Sequence, residues 1–122
     1  MVCFTIPAVP PSINDRSRHP WPWWGAKVKE WHAMVWAYGR AGTPWGATPI
    51  TPAIVTLSFR TIRKTDPDNR AKLVLDGLVK ARLIADDGPP HLAELRLRSS
   101  VGKPPQTTIQ IEAAETPKPP PS

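Results

Sequence analysis

Five of the ten acidic residues of this 122-residue chain fall in one short span: Asp66, Asp68, Asp76, Asp86 and Asp87. The chain as a whole is basic, with a formal net charge of +6 at pH 7. Carboxylates crowded together raise one another's pKa unless a cation neutralises them. Mg²⁺ takes oxygen ligands in octahedral geometry and keeps several waters, so two or three carboxylates are enough to hold it. Asp66 and Asp68 stand where a strand gives way to a helix. Asp87, with Asp86 beside it, returns in the loop after that helix. A divalent cation there can lower the pKa of a water and grip phosphate oxygens, which is the chemistry of phosphodiester hydrolysis. Negative charge then builds on the phosphate, and Lys72, one helical turn from Asp68, is the candidate to stabilise it. Asn69 is suited to orienting a carboxylate or bonding the backbone.

Each of these residues also has a plain structural reading. Asp66 can simply cap the helix. Asp68 and Lys72 can form a surface i,i+4 ion pair of roughly 0.3–0.5 kcal/mol. Asp76 can be a solvated helix residue, and Asp86-Asp87-Gly88 a turn. These readings account for the residues singly and leave their concentration in one span unexplained.

The elements that must position them follow from periodicity. Met1–Ile6 reads as a short strand with Val2, Phe4 and Ile6 on one side. A loop, Pro10-Pro11-Ser12-Ile13-Asn14-Asp15-Arg16, follows, and Arg16, Arg18 and His19 are either phosphate contacts or solvated loop residues. Trp21, Trp23 and Trp24, among Pro20 and Pro22, are expected to pack in a core or a dimer contact more than to stack on bases. A helix is predicted over Ala26–Tyr38, with Val28, Trp31 and Val35 on its buried face and His32 beside it in a structural role. Gly39 and Gly42 end it. After a connector, Ala53–Arg60 alternates as a strand, with Val55, Leu57 and Phe59 inward.

A second helix is predicted from Pro67 to about Leu83, Pro being favoured at the first helical position. At about 100° per residue, Ala71, Val74, Leu75, Leu78 and Ala81 form its core face, and Asp68, Asn69, Lys72 and Asp76 a separate polar face. His91–Ser99 reads as a strand with Ala93, Leu95 and Leu97 inward. Thr107–Glu112 reads as a last strand with Ile109 and Ile111 inward, and the two are expected to pair as a hairpin. The fold class is therefore α+β, a mixed sheet of about four strands packed against two main helices. The domain is expected over 1–112, with a proline-rich tail over 113–122 too polar to stay folded.

Composition narrows the classes. Hydrophobic residues make up 40% of the chain, enough for one modest core. The single cysteine, Cys3, excludes an internal disulfide and is expected to be a buried, inert thiol. No stretch approaches the roughly 20 apolar residues of a membrane span, and no run resembles a signal peptide. A soluble, cytoplasmic protein is expected. The basic charge suits a polyanionic partner, whether DNA, RNA or an anionic membrane surface, and Arg60, Arg63, Lys64, Arg70, Arg96 and Arg98 are its candidate phosphate contacts, which position without specifying sequence.

Taken together, Asp66-x-Asp68-Asn69, Lys72, Asp76-Gly77-Leu78 and Asp86-Asp87 resemble the signature of the RusA family of Holliday-junction resolvases. Pro10-Pro11-Ser12-x-Asn14 is a second, weaker match, and the resemblance covers about Val2–Glu112. It implies a small homodimeric α/β endodeoxyribonuclease that needs Mg²⁺ or Mn²⁺ and resolves four-way DNA junctions by paired symmetric nicks. DNA as the polyanionic partner, and nucleoid association with it, follow from this resemblance. It places the family's metal-binding aspartates on Asp66, Asp68 and Asp87 and its catalytic lysine on Lys72, with Asn69 supporting. The Trp-rich segment and the proline load depart from the family pattern. Rival expectations are a non-catalytic branched-DNA-binding module, a nuclease of flaps, forks or RNA, and an assembly protein using its tryptophans.

Overall fold

The computed structural model describes residues 1–12, 19–43, 48–64 and 66–114. The expectations placed on Asn14, Asp15, Arg16, Arg18 and the proline-rich segment 115–122 lie outside the described residues. The elements run β1 (Val2–Ile6), α1 (Trp21–Ala41), β2 (Ala53–Thr61), α2 (Asp68–Lys80), β3 (Leu92–Val101) and β4 (Gln106–Ala113). This is the α+β class expected, a four-stranded mixed sheet with two helices.

The strand order is β1-β4-β2-β3. β2 is central because it is apolar along most of its length, with Val55 and Leu57 fully buried and Phe59 nearly so. It pairs in parallel with β3 and antiparallel with β4, and β4 pairs antiparallel with β1. The expected β3–β4 hairpin is therefore corrected: β2 lies between them. The short β3–β4 connection crosses the end of β2, where Gly102 N–H donates to the Thr61 carbonyl (2.9 Å). Arg60 clamps the crossing, its Nε donating to Pro104 O (2.8 Å) and its Nη2 to Gln106 Oε1 (2.8 Å).

Alternation predicts the buried sides well. Phe4, Ile6, Ile109 and Ile111 join the β2 residues in one core with Trp31 and Val35 of α1 and Val74 and Leu78 of α2. Ala93 departs from the expected inward side and is exposed. The register steps from Ala53↔Leu92 to Ile54↔Glu94, so Ala93 is the extra residue of a bulge. Cys3 is exposed, not buried, because it alternates to the side of β1 opposite Phe4.

α1 begins five residues before the predicted Ala26, because Pro22 falls in the first turn, where its missing N–H costs nothing. The tryptophans at 21, 23 and 24 are thus helical: Trp24 is buried, Trp23 half-buried and Trp21 exposed. Gly39 lies inside the helix, and Gly42 is the residue that ends it.

α2 stops at Lys80, three residues before the predicted Leu83, in a Schellman turn. Leu83 N–H donates to Leu78 O (3.0 Å) and Arg82 N–H to Val79 O (3.0 Å). Arg82 sits at φ 59°, the left-handed region that glycine occupies without a Cβ penalty. Arg82→Gly is therefore expected to stabilise the fold by about 1 kcal/mol, read as a raised denaturation midpoint with unchanged slope. A lowered midpoint would show that the arginine side chain contributes more than its backbone costs.

Candidate functional site

β2 leads out through exposed Arg63 and Lys64 to the head of α2. Pro67 already has helical dihedrals, φ −64° and ψ −26°. Asp66 caps the turn: its Oδ1 accepts the Asp68 backbone N–H at 3.0 Å. The expected core face of α2 is buried, with Ala71, Val74, Leu75, Leu78 and Ala81 all inside. The polar face stays accessible, Asp68 and Lys72 exposed and Asn69 and Asp76 half-buried.

The loop after α2 folds back along the helix. Ile50 and Ile84 form an isolated parallel bridge, and Ile50 N–H donates to Leu83 O (3.0 Å), which fixes the start of that return. Asp86 Oδ1 accepts the Asp87 N–H at 2.8 Å, which shapes the turn. Asp87 Oδ2 then lies 3.4 Å from Lys72 Nζ, while Asp76 Oδ1 lies 3.5 Å from the same nitrogen. One ammonium thus ties the loop to the helix. The negative charge of Asp76, and after it that of Asp87, holds the Lys72 pKa above its ordinary value.

The structure therefore brings Lys72, Asp76 and Asp87 together, with Asp66 and Asp68 at the helix head. Lys72 is one turn below Asp68, about 6 Å along the axis, so Asp87 meets the helix lower than the first two aspartates. Among the described residues, no three carboxylate, histidine or cysteine side chains gather as a ready metal cage. The donor chemistry itself fits a hard divalent cation: Asp66, Asp68, Asp76 and Asp87 offer carboxylate oxygens and Asn69 an amide oxygen.

The six candidate DNA-contacting cations separate into two groups. Arg60 is engaged in the clamp across β2. Arg70 donates to the Pro10 carbonyl. Arg96 is bound to Glu94 (Nε to Oε1, 2.9 Å) and lies 3.8 Å from Glu112, which lie beside it on the sheet. The hydrogen bond from Arg96 holds the Glu94 carboxyl below its ordinary range. Arg63, Lys64 and Arg98 are exposed and make no side-chain ion pair among the described residues. The partners of Arg60 and Arg70 are tertiary and leave no mark in a local charge pattern, whereas Glu94 stands two residues from Arg96 on the same side of β3.

His32 on α1 faces α2 behind this polar face. Its Nδ1 lies 3.4 Å from Lys80 Nζ, and its Nε2 is buried with no hydrogen-bond partner among the described residues. Burial, then the Lys80 charge, lowers the His32 pKa from 6.5, against an opposing pull from Asp76. The unfolded chain therefore binds a proton more readily than the folded one. Stability should fall as the pH drops through about 6.5 and level off below the folded pKa. The Tm of the wild type should fall more between about pH 7.5 and pH 5.5 than that of His32→Gln. Equal falls would locate the acid sensitivity elsewhere.

No family model matches this chain, and no curated protein matches it. Among the described residues, no helix is long and apolar enough to cross a membrane.

Proposed function

We propose that this protein is a divalent-cation-dependent endodeoxyribonuclease that nicks branched DNA, with the four-way junction as its substrate. The observation that carries the reading is the return of Asp87 to within 3.4 Å of Lys72, which brings the acidic loop after α2 back to the polar face of that helix. The flanking cations, Arg63 and Lys64, enter from β2 and carry no ion pair among the described residues. A cap accounts for Asp66 and an ion pair with Lys72 for Asp87, each singly; a shared cation site accounts for both together.

Asp66, Asp68 and Asp87 would hold Mg²⁺ or Mn²⁺, with Asn69, Asp76 and Asp86 around them. When bound, the ion supplies an acidified water and neutralises phosphate oxygens. Asp66 fixes the helix head, and with it the place on the helix from which the Asp68 side chain starts. Lys72 holds Asp76 and Asp87 by charge. With Asp87 engaged by a cation, the Lys72 ammonium, still beside Asp76, would face the phosphate. Arg63 and Lys64 would bind flanking phosphates, making affinity shape- and salt-dependent. A C2 dimer would present two equivalent sites to opposed strands of a two-fold junction. Trp36, exposed on α1, would give that pairing an apolar contact.

The test is nicking of a labelled synthetic four-way junction with and without Mg²⁺, beside flap and fork substrates. Divalent-dependent paired nicks are expected. Asp66→Asn and Asp68→Asn should each bind the junction and fail to cut it. Preference for flaps or forks would change the substrate, and inertness on every substrate would leave a DNA-binding module.

A further inference from the structure

We propose that the cleft between the segment around Pro10 and α1 is a pocket for one unpaired nucleobase, adjoining a second cleft walled by Arg63 and Lys64. The inference rests on the nucleic-acid reading above. The cleft has a volume of about 250 Å³. That is below the usual range of about 300–1,000 Å³ for small-molecule sites, and it suits a single planar ring system. Trp23, Trp31, Pro10, Pro11 and Met34 supply its apolar walls.

Three features point to a flat, hydrogen-bonding ligand with an anionic neighbour. First, Trp31 is only 1% exposed, yet its indole Nε1–H is buried without an acceptor among the described residues. Buried polar groups ordinarily find partners. A base offers carbonyl oxygens and ring nitrogens that accept. Second, Trp23 already takes a planar partner: the exposed His19 ring stacks on it at 3.8 Å between centroids and 26° between planes. A base can use the same indole surface, since every base has a π-face. Third, the charge for an anionic neighbour lies next door: Lys27 in this cleft is paired with Glu30 at 3.7 Å, whereas Arg63 and Lys64 of the adjoining cleft make no side-chain ion pair among the described residues.

The position of the cleft matters as much as its lining. Val9 and Arg70 also line a neighbouring cleft of about 300 Å³ walled by Arg63 and Lys64. Arg70, in the first turn of α2, lies about 160° around the helix axis from both Asp68 and Lys72, so the two clefts and the acidic face lie on different sides of α2. A strand whose base enters the first cleft would carry its backbone over the cations of the second. Unpaired bases are available where duplexes branch. An anionic membrane or an acidic peptide would use the cations without using the indoles.

The test is fluorescence anisotropy of the full chain, without divalent cation, on a short single-stranded oligonucleotide and on the same oligonucleotide carrying abasic sites. Loss of base stacking should weaken binding about tenfold for the abasic strand. Trp23→Ala should bind the intact strand about tenfold more weakly and no longer distinguish the two, while Trp23→Phe retains the distinction. Met34→Trp, which fills the cleft and removes no aromatic ring, should match Trp23→Ala. Equal affinity of the wild type for intact and abasic strands overturns the pocket and leaves the nuclease reading standing. Absence of binding to any oligonucleotide or junction overturns both. Tighter capture of a proline-rich peptide, competing with the oligonucleotide, overturns the base and assigns the cleft to a peptide.

Discussion

Lys72→Ala is expected to slow divalent-dependent nicking by roughly 10²–10³-fold while leaving the affinity for an uncut junction nearly unchanged. The ammonium sits 3.4 Å from Asp87 and 3.5 Å from Asp76, held by both and mostly exposed. If it were only a surface ion pair, its removal would cost a few tenths of a kcal/mol, roughly 0.3–0.5, and change no rate. If it faces the scissile phosphate, it acts where charge develops, and that interaction exists only in the transition state. A loss confined to the chemical step would then appear in single-turnover rates and not in binding isotherms. Lys72→Arg, which keeps the charge and alters its geometry, should recover part of the rate. Full activity in Lys72→Ala would return the residue to a fastening between loop and helix.

The second large effect is expected in stability. Gly77→Val should destabilise the fold by about 2–3 kcal/mol, through overpacking where α2 crosses α1. A Cβ at this position would lie 3.1 Å from Val35 Cγ2, 3.2 Å from Val35 Cβ and 3.3 Å from His32 Cδ2. Val35 is fully buried, so it has little room to give. The two extra methyl groups of valine extend beyond that Cβ. The helix-propensity gain on replacing glycine is smaller, about 0.3–1 kcal/mol. On a domain of this size the loss corresponds to a fall in Tm of roughly 10 °C. Val35→Ala in the same chain should restore part of it, because the two sites share one contact. Failure of that rescue would place the strain outside the helix crossing.

The legible part of this fold is local. Alternation in Ala53–Arg60 marks the central strand, and the 3.6-residue period of Ala71, Val74, Leu75 and Leu78 marks the buried face of α2. Those two patterns alone put Asp68, Lys72 and Asp76 on an accessible face. The pairing of strands was not legible, because the alternation of β3 and β4 is satisfied equally by a hairpin and by two strands flanking β2. The end of α2 was missed because Arg82 occupies a position where glycine would have been the signal. Pro22 made the start of α1 look like a loop, although the first helical turn accepts it. Arg60 and Arg70 read as free cations for the same reason. Their partners, Pro104 with Gln106 and Pro10, come from chain segments that only the topology brings near, whereas Glu94, two residues from Arg96 in one strand, is a local partner. Trp31 was placed correctly in the core, but nothing local marks its indole N–H as unmet.

The first and last strands are direct neighbours, with Val2 opposite Ile111. A brief linker could therefore splice the start of β1 to the end of β4, and the polypeptide could be reopened between α1 and β2. Such a circular permutant would retain every strand partnership and the whole β2–α2–β3 unit. Cargo attached at either side of that splice would emerge from the same corner of the sheet.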